Sequence, residues 1–361
     1  MGILDNLKKN RMKKLFGAWQ IEITTRCGLQ CTMCIKTACK DWHREDMSVN
    51  DFEKIVPYLR DVKSVVLEGW GESLLHKNLV DFIRLVKSAG PEVGFVTSGM
   101  GLTLDYARQI VDAGIDFMGF SLSGAAARTH NSIRVNSDFN ALIASMKNMK
   151  ELAVNKYSGK PRLHIVYLML KDNVHEVPIL LDLSHEIGIN EIILLNIIQV
   201  TNMEQDDRKI YTCEEGSLYK DILKGAADKA RKLKISLSLP ALFPQSVSVC
   251  SENPLGNMYI SVNGEVSPCV FLNPPVSPPF TRVYCGTEYP TPPVIFGNIF
   301  MESLDAIWAR KEYEEFRDAF ICRQKKWNES YASFLELRRP DDSPVPDPPA
   351  PCRTCHKMLG F

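Results

Sequence analysis

Strand-like and helix-like runs alternate over about the first 240 residues, and this alternation restricts the possible folds most strongly. Six short apolar runs bounded by turn residues lie near residues 18–24, 64–68, 93–97, 116–122, 163–169 and 191–196. Amphipathic stretches separate or follow them, near residues 50–60, 76–89, 103–113, 137–155, 174–187 and 213–233. Apolar runs of this length, rich in β-branched side chains, are typical of parallel strands buried on both faces. The pattern therefore predicts an α/β fold with right-handed crossovers.

Six such units predict a partial, open (β/α)6 barrel of the TIM-like kind, whose lateral mouth can admit a large substrate. Residues suited to helix ends support these boundaries. Ser48 and Asp138 stand where helix N-caps belong, and Gly90, Gly114 and Gly188 stand where helices should stop. We expect the barrel to span residues 18–240.

Three cysteines follow the first predicted strand in the pattern C-x3-C-x2-C, at Cys27, Cys31 and Cys34. Three thiolates on one loop can hold three corners of a [4Fe–4S] cluster, which normally has four cysteine ligands. The fourth iron then stays open to another ligand. Zinc is the alternative, although zinc sites favour paired C-x2-C units, and buried free thiols are another.

The cysteine spacing resembles the radical S-adenosylmethionine (SAM) superfamily. The resemblance implies that the open iron chelates the amino and carboxylate groups of SAM. It also implies cleavage of SAM to methionine and a 5′-deoxyadenosyl radical, which removes hydrogen from a substrate. The expected cofactors are a [4Fe–4S] cluster and SAM, and a reductant such as a flavodoxin or ferredoxin is an expected partner.

The turn after the second strand resembles the Gly-Gly-Glu-Pro motif of this family, whose backbone holds the SAM amino group. It reads Gly69-Trp70-Gly71-Glu72, with Trp70 and Ser73 departing from the family pattern. The resemblance implies that residues 69 to 72 contact SAM. The two glycines permit close approach of the backbone.

Polar residues after strands three and four resemble further SAM-binding motifs of the family. Thr97-Ser98-Gly99 resembles its Thr-Asn-Gly, and Ser121-Leu122-Ser123-Gly124 resembles its Ser-Ile-Asp-Gly. Arg134 has the spacing of a family arginine that clamps the SAM carboxylate, which a guanidinium fork fits bidentately.

Three further residues are weaker candidates. Asn196 ends strand six, where the family places adenine or carboxylate contacts. Met33 lies between two of the cluster cysteines, at the family's aromatic position, and either packs on adenine or fills the core. Cys39 follows the cluster loop and is the one candidate catalytic residue, as a substrate-side group.

Residues 241–361 change character, with clustered prolines and a second set of cysteines. The spacing from Cys250 to Cys269 resembles the SPASM and Twitch extensions of the superfamily, and Cys352 and Cys355 supply two more thiolates. The resemblance implies a smaller α+β domain in which these four cysteines close an auxiliary [4Fe–4S] cluster. The seven-cysteine pattern of a full SPASM domain is missing, which favours the Twitch arrangement; zinc remains the alternative.

Within this domain, the Asn-Gly pair at 263–264 predicts a hairpin over 257–266. A helix is expected from 303 to about 320, and a surface loop over 340–351. At the other end of the chain, residues 1–17 predict a short basic helix, or alternatively a docking arm.

Composition excludes several classes of protein. The formal net charge is zero, so no nucleic-acid partner is expected. No apolar run is long enough to span a membrane, and no export signal is visible. We therefore expect a cytoplasmic protein with reduced thiols, in which Cys213, Cys285 and Cys322 stay unligated.

The resemblance leaves the substrate open. Peptide- and protein-modifying maturases of the family suggest oxidative modification of a peptide or protein. The Twitch-like cysteine count instead suggests a small-molecule dehydrogenase or an enzyme of cofactor or natural-product biosynthesis. A non-catalytic iron–sulfur electron carrier is the alternative from another class.

Overall fold

A computed structural model describes residues 15–156, 159–335 and 344–361. The strands are β1 Phe16–Ile21, β2 Gln30–Cys31, β3 Val62–Val66, β4 Glu92–Thr97, β5 Phe117–Leu122, β6 Arg134–Val135, β7 Arg162–Met169, β8 Glu191–Asn196, β9 Ser236–Ser238, β10 Met258–Ile260, β11 Glu265–Ser267, β12 Phe280–Tyr284, β13 Thr287–Thr291 and β14 Gly297–Asn298. The helices are α1 Ile35–Ala38, α2 Val49–Ile55, α3 Leu79–Ala89, α4 Leu104–Asp112, α5 Ala127–Ile133, α6 Phe139–Lys156, α7 Val177–Ile187, α8 Met203–Asp207, α9 Lys220–Leu233, α10 Leu304–Trp308 and α11 Lys311–Leu335.

One ten-stranded sheet organises the molecule, in the order β14-β11-β10-β1-β3-β4-β5-β7-β8-β9. Neighbours from β1 to β9 pair in parallel. The predicted parallel α/β architecture, an open barrel-like sheet with crossover helices, is confirmed. All six predicted strands are present, with ends that differ by at most three residues. The sheet also has a parallel edge strand that was not predicted, β9. Its sequence is Ser-Leu-Ser, which is not an apolar run.

Residues that were predicted to begin or end helices do so in the structure. The Ser48 side chain accepts a hydrogen bond from the Asp51 N–H, and Asp138 accepts one from the Ala141 N–H. Gly90 and Gly188 end their helices with left-handed backbone, which glycine adopts without steric cost.

The C-terminal region continues the same sheet. The expected hairpin is formed by β10 and β11, and β10 lies parallel to β1, with Trp19 opposite Met258. The Asn257 side chain accepts a 2.8 Å hydrogen bond from the Ala18 N–H. A Cβ atom at residue 17 would lie 2.5 Å from Asn257 Oδ1, so the glycine at this position lets the two segments approach.

Three expectations at element boundaries need correction. Residues 16 and 17, expected in an N-terminal helix, belong to β1; residues 1–14 lie outside the described residues. The single helix expected over 303–320 is two helices, α10 and α11. At the break between them, Arg310 reaches back to Glu302 at 2.6 Å. The loop expected over 340–351 is irregular over 344–349 and then forms a 3-10 turn, Ala350–Cys352; residues 340–343 are not described.

The expectation of reduced thiols is wrong for one pair of cysteines. Cys213, before α9, and Cys285, between β12 and β13, form a disulfide with a Cα–Cα separation of 5.9 Å. That separation lies in the range a disulfide needs. The two residues are 72 positions apart, so only the folded chain reveals that they are neighbours. Cys322 is an exposed free thiol on α11.

Candidate functional site

A cavity lies at the carboxyl ends of the parallel strands, where ligands bind in α/β sheets. Its volume is about 280 Å³, near the lower end of the range for small-molecule sites. Twelve of the residues predicted to bind the cluster or SAM line it: Cys27, Cys31, Met33, Cys34, Trp70, Gly71, Glu72, Thr97, Ser98, Ser121, Arg134 and Asn196. Turns that are distant in sequence therefore meet at one place.

The cysteine loop is held against Arg134 by backbone pairing. Strand β2 pairs with β6, so that Cys31 lies opposite Arg134. The Thr32 N–H donates a 2.9 Å hydrogen bond to the Ile133 carbonyl. The arginine is thus fixed beside the thiols, although more than 100 residues separate them in sequence.

Two of the three thiols, Cys27 and Cys34, lie in surroundings that disfavour free ionisation. Burial raises the pKa of Cys34 to about 11, and burial also raises the pKa of Cys27. A thiolate at these positions is favoured only when a cation compensates its charge. Within the described ranges, no three His, Cys, Asp or Glu side chains are placed to hold a single metal ion.

Glu72 fastens two of the turns to each other. Its Oε1 accepts a 2.5 Å hydrogen bond from the Thr97 hydroxyl. Its Oε2 accepts bonds of 2.8 Å and 2.5 Å from the Ser98 N–H and hydroxyl. Both hydroxyls therefore bind Glu72 in this structure and join the turn after β3 to the turn after β4.

Gly71 is needed because the turn passes close to other backbone. A Cβ atom there would lie 2.1 Å from the Thr24 carbonyl oxygen. That contact is with backbone and not with a movable side chain, so any larger residue would displace the turn.

Ser123 and Arg134 form a unit in which only the arginine lines the cavity. The Arg134 Nε donates a 2.9 Å hydrogen bond to the Ser123 hydroxyl, and Ser123 is fully buried. Ser123 therefore positions the arginine instead of reaching the cavity itself.

Two other predicted site residues also lie outside the cavity lining. Gly69 packs on Glu22, whose Oε1 would lie 2.4 Å from a Cβ at that position. Cys39 lines two other grooves, one of them beside Asp41 and Phe280. Cys39 does not line the cavity that contains Cys27, Cys31 and Cys34.

Four polar atoms around the cavity are buried without hydrogen-bond partners among the described residues. They are the Trp70 Nε1, the Asn196 Oδ1 and both amide atoms of Gln199. Buried polar groups are nearly always paired with protein or ordered water, so these atoms are available to a polar ligand. These atoms, together with the three thiols and Arg134, fit a cluster carrying an amino-acid nucleoside such as SAM.

Glu68, Gln199 and Phe271 are among the cavity-lining residues that sequence reasoning missed. Glu68 accepts a 3.0 Å hydrogen bond from the Val96 N–H, and burial raises the pKa of its carboxyl group to about 7. Glu68 and Gln199 lie just after the ends of β3 and β8. This position at the carboxyl end of a parallel strand could have identified them as candidate site residues. Phe271 follows Cys269 and carried no comparable signal.

The four C-terminal cysteines also come together. The Cys355 N–H donates a 3.1 Å hydrogen bond to the Cys352 carbonyl. Burial raises the pKa of Cys250 to about 12, and the nearby Cys355 adds to that rise. Burial likewise raises the pKa of Cys269, with contributions from the other three thiols. This set of four thiols could fill every corner of one [4Fe–4S] cluster.

A carboxyl group beneath the Trp70 turn gives the first testable prediction. Glu22 accepts a 2.7 Å hydrogen bond from the Trp70 N–H, and burial raises its pKa from 4.5 to about 7. The folded chain then keeps a proton that the unfolded chain loses, so stability falls as pH rises from about 4.5 to about 7. Glu22→Gln keeps an acceptor for Trp70 and should remove this part of the pH dependence, at most about 3 kcal/mol.

Denaturant midpoints at about pH 5 and about pH 8 test this prediction. Glu92→Gln is the matched control, because Glu92 is a surface carboxylate paired with Arg162 at 2.9 Å and this pairing lowers its pKa. If the stability of wild type and of Glu22→Gln depended equally on pH, folding would not raise the pKa of Glu22, and the prediction would be wrong.

Two family models match this chain. Residues 21–184 match the radical SAM superfamily, and residues 250–356 match the SPASM iron–sulfur cluster-binding domain. The chain therefore belongs to the radical SAM superfamily and carries a C-terminal SPASM domain. Its cofactors are accordingly a [4Fe–4S] cluster, SAM and auxiliary iron–sulfur clusters.

Curated relatives fall into more than one functional group. A tungsten-containing aldehyde ferredoxin oxidoreductase cofactor-modifying protein of Pyrococcus furiosus is 26% identical over 82% of this chain and 82% of its own length. A PqqA peptide cyclase of Bradyrhizobium diazoefficiens is 23% identical over 69% of this chain and 65% of its own length.

Solved structures share the fold. Streptococcus suis SuiB bound to S-adenosylmethionine superposes with a TM-score of 0.61 at 15% identity, covering 87% of this chain and 70% of that one.

Within the described ranges, no helix combines the length and apolar character needed to cross a bilayer.

Proposed function

We propose that this enzyme oxidatively modifies a peptide or a partner protein. The observation that carries the proposal is the single cavity that joins the Cys27–Cys34 loop to Phe271 of the C-terminal region. A substrate in this cavity would lie between the two cysteine sites. The likeness to a PqqA peptide cyclase supports a peptide substrate.

The chemistry that the cluster and SAM supply when bound is removal of a hydrogen atom from an unactivated C–H bond. Cys27, Cys31 and Cys34 would hold the cluster. Arg134, oriented by Ser123, would bind the SAM carboxylate, and a reductant such as a flavodoxin or ferredoxin would supply the electron.

The remaining cavity residues would orient SAM and exclude water. Trp70, Gly71 and Ser121 would contact it, Glu72 would hold the turns of Thr97 and Ser98 in place, and Met33 would pack against its base. Asn196 offers an unpartnered Oδ1. Cys250, Cys269, Cys352 and Cys355 would hold the auxiliary cluster.

A second candidate is modification of a small molecule or a cofactor. It is favoured by the likeness to the Pyrococcus furiosus cofactor-modifying protein, which extends over 82% of both chains. A pure electron carrier would not need Arg134 or the unpartnered polar atoms of the cavity.

Mass spectrometry separates the two candidates. The reconstituted protein would be incubated anaerobically with SAM, dithionite and either peptide pools or small-molecule pools, and assayed for 5′-deoxyadenosine and for substrate mass changes. We expect a peptide that loses hydrogen in proportion to the 5′-deoxyadenosine formed. Turnover confined to small molecules would support the second candidate and contradict the first.

Replacing Arg134 tests the SAM site directly. Arg134→Ala should weaken SAM binding by about 1.5–3 kcal/mol, the range for a hydrogen bond to a charged group, while iron content stays unchanged. Arg128→Ala is the matched control, because Arg128 is exposed on α5, the helix that directly precedes Arg134. Calorimetry that gives equal SAM affinity for both variants would remove Arg134 from the site.

A further inference from the structure

Two buried arginines flank the four C-terminal cysteines. Arg282 on β12 is fully buried, and Arg323 on α11 is 7% exposed. In the described part of the chain, neither forms an ion pair with a carboxylate. Among the described residues, the Asp347 carboxylate acts electrostatically on Arg323, but the Asp347 side chain is exposed and lies 3.5 Å from Arg353.

Arg282 binds the backbone beside two of the cysteines. Its Nη1 donates a 2.7 Å hydrogen bond to the carbonyl of Pro351, directly before Cys352. Its Nη2 donates a 3.3 Å bond to the carbonyl of Phe271, two residues after Cys269. Its Nε has no acceptor among the described residues.

Arg323 likewise donates its hydrogen bonds to backbone carbonyl groups. Its Nη2 donates a 2.8 Å bond to the Val247 carbonyl, and its Nε donates a 3.3 Å bond to the Ser248 carbonyl, shortly before Cys250. Its Nη1 donates to the Pro346 carbonyl. Each hydrogen bond that the described residues show for these two arginines therefore ends on an uncharged oxygen.

Carbonyl oxygens satisfy the donors of a guanidinium but do not neutralise its charge. Burying an unpaired charge is costly, so the site needs an anion near both side chains. Four thiolates holding a cluster provide that negative charge, and the net charge and hydrogen bonding around a cluster set its reduction potential. The hydrogen bonds to the Pro351 and Ser248 carbonyls place the two guanidinium groups close to Cys352 and Cys250.

We propose that Arg282 and Arg323 are the buried counter-charges of the auxiliary cluster and raise its reduction potential. The inference rests on the proposed ligand set of Cys250, Cys269, Cys352 and Cys355. Reduction adds one electron to the cluster, and fixed positive charges in a medium of low dielectric constant stabilise that form. The two arginines thereby favour the auxiliary cluster as an electron acceptor.

The test is a redox titration followed by electron paramagnetic resonance. It would use the full chain with Cys27, Cys31 and Cys34 replaced by alanine, so that only the auxiliary signal is present. Arg282→Met and Arg323→Met should each shift the midpoint potential to more negative values, and the double variant should shift it further. Arg282→Lys, which keeps the charge, should shift it less than Arg282→Met.

Arg310→Met is the matched control. Arg310 also donates to a backbone carbonyl, that of Phe296, but its side chain is 38% exposed, so solvent screens its charge and its loss should shift the potential much less. Should Arg282→Met lose the auxiliary irons, Arg282→Lys is expected to retain them; loss in both would assign Arg282 to packing and overturn the inference.

Two outcomes separate this inference from the proposed function. An auxiliary cluster whose potential is the same with and without both arginines overturns the inference alone. Absence of a second cluster from the wild-type protein overturns the proposed ligand set, and the inference fails with it.

Discussion

Replacing Cys27, Cys31 and Cys34 by alanine together is expected to leave about four irons per chain instead of about eight, and to abolish SAM cleavage. The reason is that each cubane cluster has its own cysteine set. Only the three-cysteine loop leaves an iron free to bind SAM, so the remaining cluster cannot substitute for it.

Iron analysis after anaerobic reconstitution and assay of 5′-deoxyadenosine measure both effects. Cys39→Ala and Cys322→Ala are matched controls, because neither thiol lines the main cavity, and both should keep the full iron content and the full cleavage rate. A triple variant without iron, or native protein with zinc at Cys352 and Cys355, would refute the assignment.

Removing Cys352 and Cys355 together should abolish substrate conversion while leaving abortive SAM cleavage under strong reductant. Four thiolates fill the corners of the auxiliary cluster, so it can take or relay an electron but has no iron open to SAM. Losing two of them removes the proposed acceptor without touching the three-cysteine loop.

Loss of folding is the competing explanation, because a metal site can contribute directly to the stability of a domain. Circular dichroism and iron content of the variant distinguish the two, with Cys322→Ala again as the control. A folded variant that converts substrate at the native rate would make the auxiliary cluster structural and remove the main support for an oxidative reaction.

The features predictable from sequence were those encoded over short distances. The pattern C-x3-C-x2-C is a local spacing, and the buried strands are continuous apolar runs, so both could be read before any tertiary structure. Helix starts at Ser48 and Asp138 were equally local. The family resemblance added positions such as Arg134, which now lines the same cavity as the cysteines.

The features that could not be predicted depend on which segments meet in three dimensions. Nothing in the local sequence shows that Ser123 lies behind Arg134, or that both amide atoms of Gln199 are buried without partners. The Cys213–Cys285 disulfide joins a loop of the barrel to the β12–β13 hairpin, and a contact of this kind has no short-range signal.

The parallel pairing of β10 with β1 has a consequence for any shortened form of this protein. Strand β1 lies inside the sheet, between β10 and β3, and its far side is covered only because the C-terminal hairpin is present. A chain ending near residue 240 would leave β1 as an open edge with bare N–H and C=O groups, which recruits other strands and drives aggregation. The barrel therefore needs the C-terminal region, because the C-terminal hairpin supplies the strand that pairs with the open side of β1.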